Sequence, residues 1–394
     1  MSEAPAGTVP LIYLDHNATT PTHPLVVEAL LPFLGERFGN PSSIHWAGRA
    51  VKGAVEEARE AVAELAGCEP GEVVFTGSGS EADNMAVKGV ASSLRKRGNH
   101  IIATRVEHPA VANSCRYLEH GGYEVTWLDV DRDGILDPTR VEEAITERTI
   151  LVTAMYANNE TGVLLPVAEI GEIARRHRVP FHCDAVQALG KVPLEFRATG
   201  ASLMALSAHK VYGPKGVGAL VIRRGTTCHP LVHGGSQERN RRAGTENVAG
   251  IVGFGQACRL ARESLADETA RVCRLRDRLE EGILGRVPGA RVNGHRQFRL
   301  PNTSNISFEG VTADTLLMAL DLAGIAVSSG SACSSGTLRH SPVLAAMGLS
   351  PQEAGGAVRF SLGLGNTDQE IDRVLTVLPE IVERVKRGGD GREA

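Results

Sequence analysis

The first residue with chemistry in it is a lysine that ends an apolar run. Lys210 closes "LMALSAHK", after Ser207 and His209, and "VYGPKGVG" follows with three glycines. A lysine is almost never fully buried without a partner or a task. Three uses are open to it: an exposed strand-end charge, a clamp on a phosphate, or an amine that forms a Schiff base with a carbonyl. The third use needs a phosphate cradle, a carboxylate for a ring nitrogen and an aromatic group to stack. Each part has a candidate. "FTGSGSEADN" runs strand, glycine-rich turn, helix. Its amides around Gly79 and Ser80, with the hydroxyls of Ser78 and Ser80, can hold a phosphate at a helix N-terminus. Asp184 stands 26 residues before Lys210, and its plainer use is a helix cap. His108 in "EHPAV" could stack, although a lone histidine is more often a satisfied structural side chain.

Pyridoxal phosphate sites combine such parts. Rival phosphate motifs fit less well. Gly77, Gly79 and Ala82 match a loose G-x-G-x-x-A, but the acidic residue needed about 20 positions later falls in "SLRKRGN". "GPKGVG" lacks the G-x-x-x-x-G-K-[ST] of a P-loop. A second nucleophile, Cys333, lies in "SSGSACSSG", a stretch almost devoid of bulk. Free cysteines are usually inert buried hydrophobes. This one is expected on a mobile loop with an accessible thiol, and it needs a nearby cation or helix end to become a thiolate. "SQERNRRAGTEN" reads either as a solvated loop or as a phosphate or interface contact. No metal site is expected: there is no H-E-x-x-H and no cysteine cluster, and His182, Cys183 and Asp184 alternate faces on a strand.

What must position these residues is an alternation of strands and helices. "AVEEAREAVAELAG" places Val55, Ala58, Val62 and Leu65 on a helical stripe stopped by Gly67. Short apolar runs follow to about Arg224: "EVVFT", "HIIATRV", "EVTWLDV", "TILVTAMY", "VPFHCDA", "SLMALSA" and "GALVIRR". They predict an α/β fold with a mostly parallel sheet covered on both faces, the last two runs forming a hairpin with one antiparallel strand. Ligands of such sheets sit beyond the carboxyl ends of the strands, where the small-residue turn, His108, the amides of "ANNETG", Asp184 and Lys210 all stand. Past residue 265 the pattern changes to a long charged helix, short strands in "SNISFEG", "GIAVSSG" and "AVRFSLG", and a closing helix. Thr367 and Glu370 open that helix in capping-box spacing. The expected division is a large domain over residues 21–264 and a smaller α+β domain made of 1–20 and 265–394.

Composition narrows the classes. The 394 residues carry a net charge of −4, which argues against bulk electrostatic binding to nucleic acid or an anionic membrane. No apolar run approaches the ~18 residues of a membrane span, and "MSEAPAGTVP" has no signal-peptide core. Seven scattered cysteines without C-x-x-C fit free thiols in a reducing compartment. A soluble cytoplasmic protein is expected.

Taken in order, "YLDHNATTP", "FGNPSSIHWAGR", "FTGSGSEADN", "EHPAV", "NNETG", "HCDAVQALGK", "SAHKVYGPKGVGAL", "RRAGTENVAG", "SSGSACSSG" and "VRFSLG" resemble the cysteine desulfurases. This is the NifS/IscS-like group of class V aminotransferases, pyridoxal-phosphate enzymes of fold type I. The resemblance spans nearly the whole chain and implies a seven-stranded sheet. It implies that Lys210 holds the cofactor and moves the substrate's Cα proton, and that Asp184 pairs with the ring nitrogen. Gln187 would bond the phenolic oxygen, and His108 would stack on the ring and assist proton transfer. Gly79, Ser80, Ser207 and His209 would bind the phosphate, and Thr245 would reach the phosphate of the other subunit of a homodimer. Asn159 would lie near cofactor and substrate, Arg359 would clamp the substrate carboxylate, and Cys333 would take sulfur from L-cysteine as a persulfide, leaving L-alanine. A protein acceptor then receives the sulfur, with iron–sulfur assembly, tRNA thiolation, cofactor sulfuration and DNA modification all open. Two features depart from the group. Ser80 replaces a usual threonine, and the last residues, "VERVKRGGDGREA", do not match the extension with which some relatives dock a cluster scaffold. Alternatives are a selenocysteine lyase, another aminotransferase-fold enzyme such as a transaminase or sulfinate desulfinase, a nucleotide-binding oxidoreductase, and a non-enzymatic sulfur carrier or assembly protein.

Overall fold

The computed structural model describes residues 11–329 and 341–390. Its centre is a seven-stranded sheet in the order β2-β8-β7-β6-β5-β3-β4. The strands are β2 (Val73–Thr76), β3 (His100–Thr104), β4 (Glu124–Leu128), β5 (Thr149–Met155), β6 (Phe181–Asp184), β7 (Leu203–Ser207) and β8 (Gly218–Ile222). The run from β7 through β4 is parallel. β8 pairs antiparallel with both β7 and β2, so the hairpin across the glycine loop supplies the one reversed strand. β5, "TILVTAM", is buried at every position, as a central strand covered on both faces requires.

Side chains alternate between two cores because strand periodicity is two. Ile102, Val152, Phe181, Cys183 and Met204 face one core, which the helix Trp46–Ala66 helps to build. Ile101, Leu151, Leu203 and Ala205 face the other, against the helices Gly79–Leu94 and Pro109–His120. The stripe Val55, Ala58, Val62 and Leu65 is buried, and Gly67 ends its helix at φ 66°. That left-handed position favours glycine.

A third core lies elsewhere. The 39-residue helix Val248–Arg286 gives Ile251, Phe254, Ala257 and Cys258 to the first core and Leu275, Leu279 and Ile283 to the third. The antiparallel sheet of β9 (Ala290–Asn293), β10 (Thr303–Phe308) and β12 (Ala357–Ser361) packs there through Ile306, Phe308 and Phe360. Ile12 and Leu14 join it, because β1 (Ile12–Tyr13) pairs in parallel with β11 (Ile325–Ala326). The strands β1 and β9 escaped the sequence reading, being short and without a clear alternation. Thr367 and Glu370 do form the capping box of the last helix, through bonds of 3.0 and 3.3 Å. Among the described residues no helix is long and apolar enough to cross a membrane.

The segment around "QERNRR" is more than a solvated loop. Glu238, Arg239 and Asn240 all hold positive φ, and the Glu238 carboxylate is buried. It takes two 2.8 Å bonds from Arg59 and one of 3.0 Å from the Phe75 amide of β2. Glu238→Gln removes the charge and leaves a buried guanidinium short of its counter-ion. A loss of about 3–5 kcal/mol of stability is expected, read as a lower thermal unfolding midpoint, with replacement of both partners by apolar residues recovering most of it.

Candidate active site

Lys210 follows β7 in a single turn, Ala208–Lys210. Its Nζ donates to the carbonyl oxygens of Asn17 and, at 2.8 Å, of Ala18. The amine is therefore held against the N-terminal segment rather than left in solvent. Next to it, the His209 ring pairs with the Thr19 hydroxyl at 3.1 Å. Burial first, then Lys210, Lys215 and Lys191, push that imidazole down to about 4, so it is neutral at physiological pH.

Helix Gly79–Leu94 begins directly after β2. Ser78 caps it, its Oγ accepting from the Glu81 amide at 3.1 Å, so this hydroxyl has a structural task. The amides of Gly79 and Ser80 stand in the first turn, where helix N–H groups lack internal partners. A Cβ on Gly79 would fall 2.8 Å from Val186 Cγ2 and 3.2 Å from Ser207 Cβ. Only glycine lets the helix start, the turn after β6 and the end of β7 meet this closely.

Asp184 ends β6, and its Oδ1 accepts from the Val186 amide at 3.0 Å. No helix follows Asp184, so the expected helix cap is instead a bond that closes the turn after β6, and it does not exhaust the residue. Burial raises its pKa, opposed by the nearby His108 and Lys210. His108 caps the helix Pro109–His120, its Nδ1 accepting from the Ala110 amide at 3.1 Å. Burial lowers the pKa of this ring, against Asp184 and with Lys210. A neutral ring that accepts at Nδ1 carries its proton on Nε2.

Behind Asp184 lies a buried group that the sequence reading did not single out. Asp83 Oδ1 and His182 Nε2 stand 3.4 Å apart, and Glu107 accepts from Thr104 Oγ1 at 2.6 Å and from the Met155 amide at 2.9 Å. Burial pushes Glu107 up to about 8 and holds Asp83 well above the usual carboxylate range. Burial thus favours the protonated form of both, and at about 8 Glu107 is mostly protonated at neutral pH. Asp83, His108 and Asp184 bring ligand atoms within 4.8 Å of one another, the one metal-like grouping among the described residues. Asp83 Oδ1 and His182 Nε2 find no hydrogen-bond partner among the described residues, and burial works against the deprotonated carboxylate that a metal ligand requires.

Arg359 of β12 is 3% exposed. Its Nη2 donates to Asp15 Oδ1 at 2.6 Å and its Nη1 to the Asn159 carbonyl at 2.8 Å. Asp15, in "YLDHNATTP", thus occupies the cation expected to hold a substrate carboxylate. The same motif supplies Asn17, whose backbone oxygen receives both Lys210 Nζ and Gln187 Nε2. Thr245 is exposed, on a loop fastened to the phosphate-side helix by the Arg242–Glu81 pair at 2.8 Å. Cys333 lies outside the described residues. The last described stretch before it is at the site: Ser328 exchanges backbone hydrogen bonds with Arg359. So is the first after it, because Ser341 donates to Glu160, the neighbour of Asn159.

These donors suit pyridoxal phosphate. A helix N-terminus beside Ser207 and a neutral His209 suits a phosphate, a buried carboxylate that lacks a full counter-charge suits a ring cation, and an amine suits an aldehyde. The wound sheet with this lysine and aspartate at its carboxyl rim defines the fold-type I class of pyridoxal-phosphate enzymes. The family model described as aminotransferase class-V matches residues 12–374. A protein from Dictyoglomus turgidum named cysteine desulfurase IscS is 48% identical over 375 residues, 95% of each chain. A solved structure titled NifS-like protein superimposes with a TM-score of 0.90 at 37% identity, covering 95% of this chain and 100% of its own. Another, titled SspA in complex with cysteine, gives 0.80 at 35%, covering 89% and 98%. The chain belongs to the aminotransferase class-V family and, within it, to the cysteine desulfurases.

Proposed function

We propose that this chain converts L-cysteine to L-alanine and takes the sulfur on Cys333 as a persulfide, using pyridoxal phosphate. The observation that carries this reading is the placement of Ser328 and Ser341, described on either side of the stretch with Cys333, against Arg359 and Glu160 of the site. Pyridoxal phosphate, when bound, supplies an electron sink that acidifies the substrate Cα proton and loosens the Cβ–S bond. Everything else falls to the chain. Lys210 holds the cofactor through its amine and afterwards carries the Cα proton. Asp184 keeps the ring nitrogen protonated, and burial disfavours a competing charge on Asp83 and Glu107 behind it. Gln187 donates to the phenolic oxygen and His108 covers the ring. Gly79, Ser80, Ser207 and His209 hold the phosphate, with Thr245 reaching the phosphate of a second copy in a homodimer. Asn159 lies beside cofactor and substrate. Arg359 exchanges Asp15 for the substrate carboxylate, a bidentate pair replacing a single bond.

The sulfur step balances without an outside oxidant. The Cys333 thiolate attacks the substrate sulfur, the carbon–sulfur bond breaks toward carbon, and a proton completes alanine. Cys333 is left with one added sulfur for a protein acceptor. The six described cysteines are free thiols, which supports a reducing, cytoplasmic setting. The separate core around Phe308 and Phe360 supports a small domain of 1–20 and 265–394 beside a large one of 21–264. The test is product analysis from L-cysteine with a reducing thiol present. Alanine and sulfide in equal amounts are expected. A keto acid with an aminated cofactor, and no alanine, would make the protein a transaminase instead.

A further inference from the structure

Lys191 has no part in the reaction as described, yet it sits beside Lys210. It lines a cavity of about 400 Å³ that also touches Lys210, His16 and Tyr212. Its Nζ donates to Gln187 Oε1 at 2.6 Å and to Asn17 Oδ1 at 3.0 Å. The other end of the Gln187 amide, Nε2, donates at 3.0 Å to the Asn17 carbonyl, the same oxygen that receives Lys210. Asn17 is itself fixed: its Oδ1 also takes Asn302 Nδ2 at 3.0 Å, and its Nδ2 donates to Thr303 Oγ1 at 2.8 Å. Asn17 is fully buried and Gln187 nearly so.

We infer that Lys191 is a positioning residue, which locks the Gln187 amide with its donor end toward the reactive amine of Lys210. The inference rests on the function proposed above. The physical reason is the donor inventory. Burial, Lys210 and Arg359 lower the pKa of Lys191, yet with two oxygens at 2.6 and 3.0 Å its amine turns N–H groups to both and so holds the oxygen end of the amide. Flipping Gln187 would set N–H against N–H on one side and oxygen against the Asn17 carbonyl on the other. The lock leaves the amide N–H groups as the only part of Gln187 that can serve a phenolic oxygen at Lys210.

The charges around Lys191 set the sign of the test. Lys210, His209, His16 and Arg359 face it from three segments. Glu263, Asp267 and Glu268 line the cavity from the long helix, Glu268 being paired with Arg271 at 2.8 Å. Asp184 and His108 act on the Lys210 side. A donor aimed at the phenolic oxygen stabilises its anionic form and makes the lysine-bound cofactor release its proton more readily. Removing the lock therefore raises the midpoint at which that proton is lost.

The experiment is a pH titration of the visible absorption of the holoenzyme, with steady-state rates alongside. Lys191→Met should raise the midpoint by about one pH unit and slow turnover about tenfold with KM nearly unchanged. Lys191→Thr, smaller and too short to reach Gln187, carries the same expectation. Lys191→Arg, which presents only donors, should restore most of both. Gln187→Met should reproduce the shift, and adding Lys191→Met to it should add little, because the two act through one contact. A wild-type midpoint in the Met and Thr variants overturns the inference. So does a full further shift when Lys191→Met is added to Gln187→Met, since charge alone would then be at work. A wild-type protein without a Lys210-dependent absorption overturns the proposed function itself, a different result that the same spectra separate.

Discussion

Lys210→Ala should still take up pyridoxal phosphate but show no Schiff-base absorption, and its alanine production should fall by about 10³-fold or more. One substitution removes two functions, the covalent hold on the aldehyde and the base that moves the Cα proton. The phosphate cradle does not depend on that amine. In the proposed site it comprises the helix start at Gly79, Ser207 and His209, and the close packing of Gly79 on Val186 and Ser207 persists. Binding should therefore survive in weakened form, while chemistry does not. The fold should also survive, because Lys210 is half-buried and its bonds to Asn17 and Ala18 go to backbone carbonyls. Absorption spectra of the variant with added cofactor, together with alanine quantification, check both halves. A variant that keeps its Schiff-base absorption would move the role to another lysine, of which Lys191 is the neighbour at hand.

Cys333→Ser should lose alanine and sulfide formation by about 10²-fold or more while the absorption of bound cofactor stays that of the wild type. The exchange changes one atom, so its effect is chemical: a serine hydroxyl is not ionised at neutral pH, whereas a thiol a little below its usual range is. No other described thiol is a ready substitute. Cys115, Cys183 and Cys258 are buried with raised pKa values. Burial pushes Cys68 and Cys228 up to about 12. Cys273 sits on the long helix with its Sγ directed at Asp277. Mass spectrometry of the wild type after one turnover without reductant should find a single added sulfur, on the peptide that contains Cys333. Undiminished alanine from the variant would separate desulfuration from Cys333 and leave the cofactor chemistry standing.

Much of the site is legible in the residues because each part has a strict local requirement. Helix starts that bind anions need small residues and free amides, hence "GSGSEADN" after an apolar run. Strand ends must present polar groups beyond the sheet, hence Asp184 after "VPFH" and Lys210 after "LMALSAH". Period-two and period-3.6 patterns predict the wound sheet and its covering helices for the same reason, since burial acts on neighbours along the chain. Legibility falls where a residue's partner is distant in sequence. "YLDHNATTP" carries the family resemblance, yet nothing local reveals that Asp15 pairs with Arg359, 344 positions away, or that Asn17 joins Lys210, Gln187 and Lys191. Glu238 looks like one more charge in a basic loop until Arg59 and β2 close around it. The acids Asp83 and Glu107 look like ordinary surface carboxylates, and only their enclosure behind Asp184 moves them toward the protonated form.

By itself, then, the sequence determined the fold class and the family and proposed the reacting groups, because these follow from periodicity, turn chemistry and motif order. The tertiary structure alone decided which way each group faces and what charge it carries. Those properties depend on desolvation and on contacts between segments hundreds of residues apart, and neither is written in any local stretch of the chain.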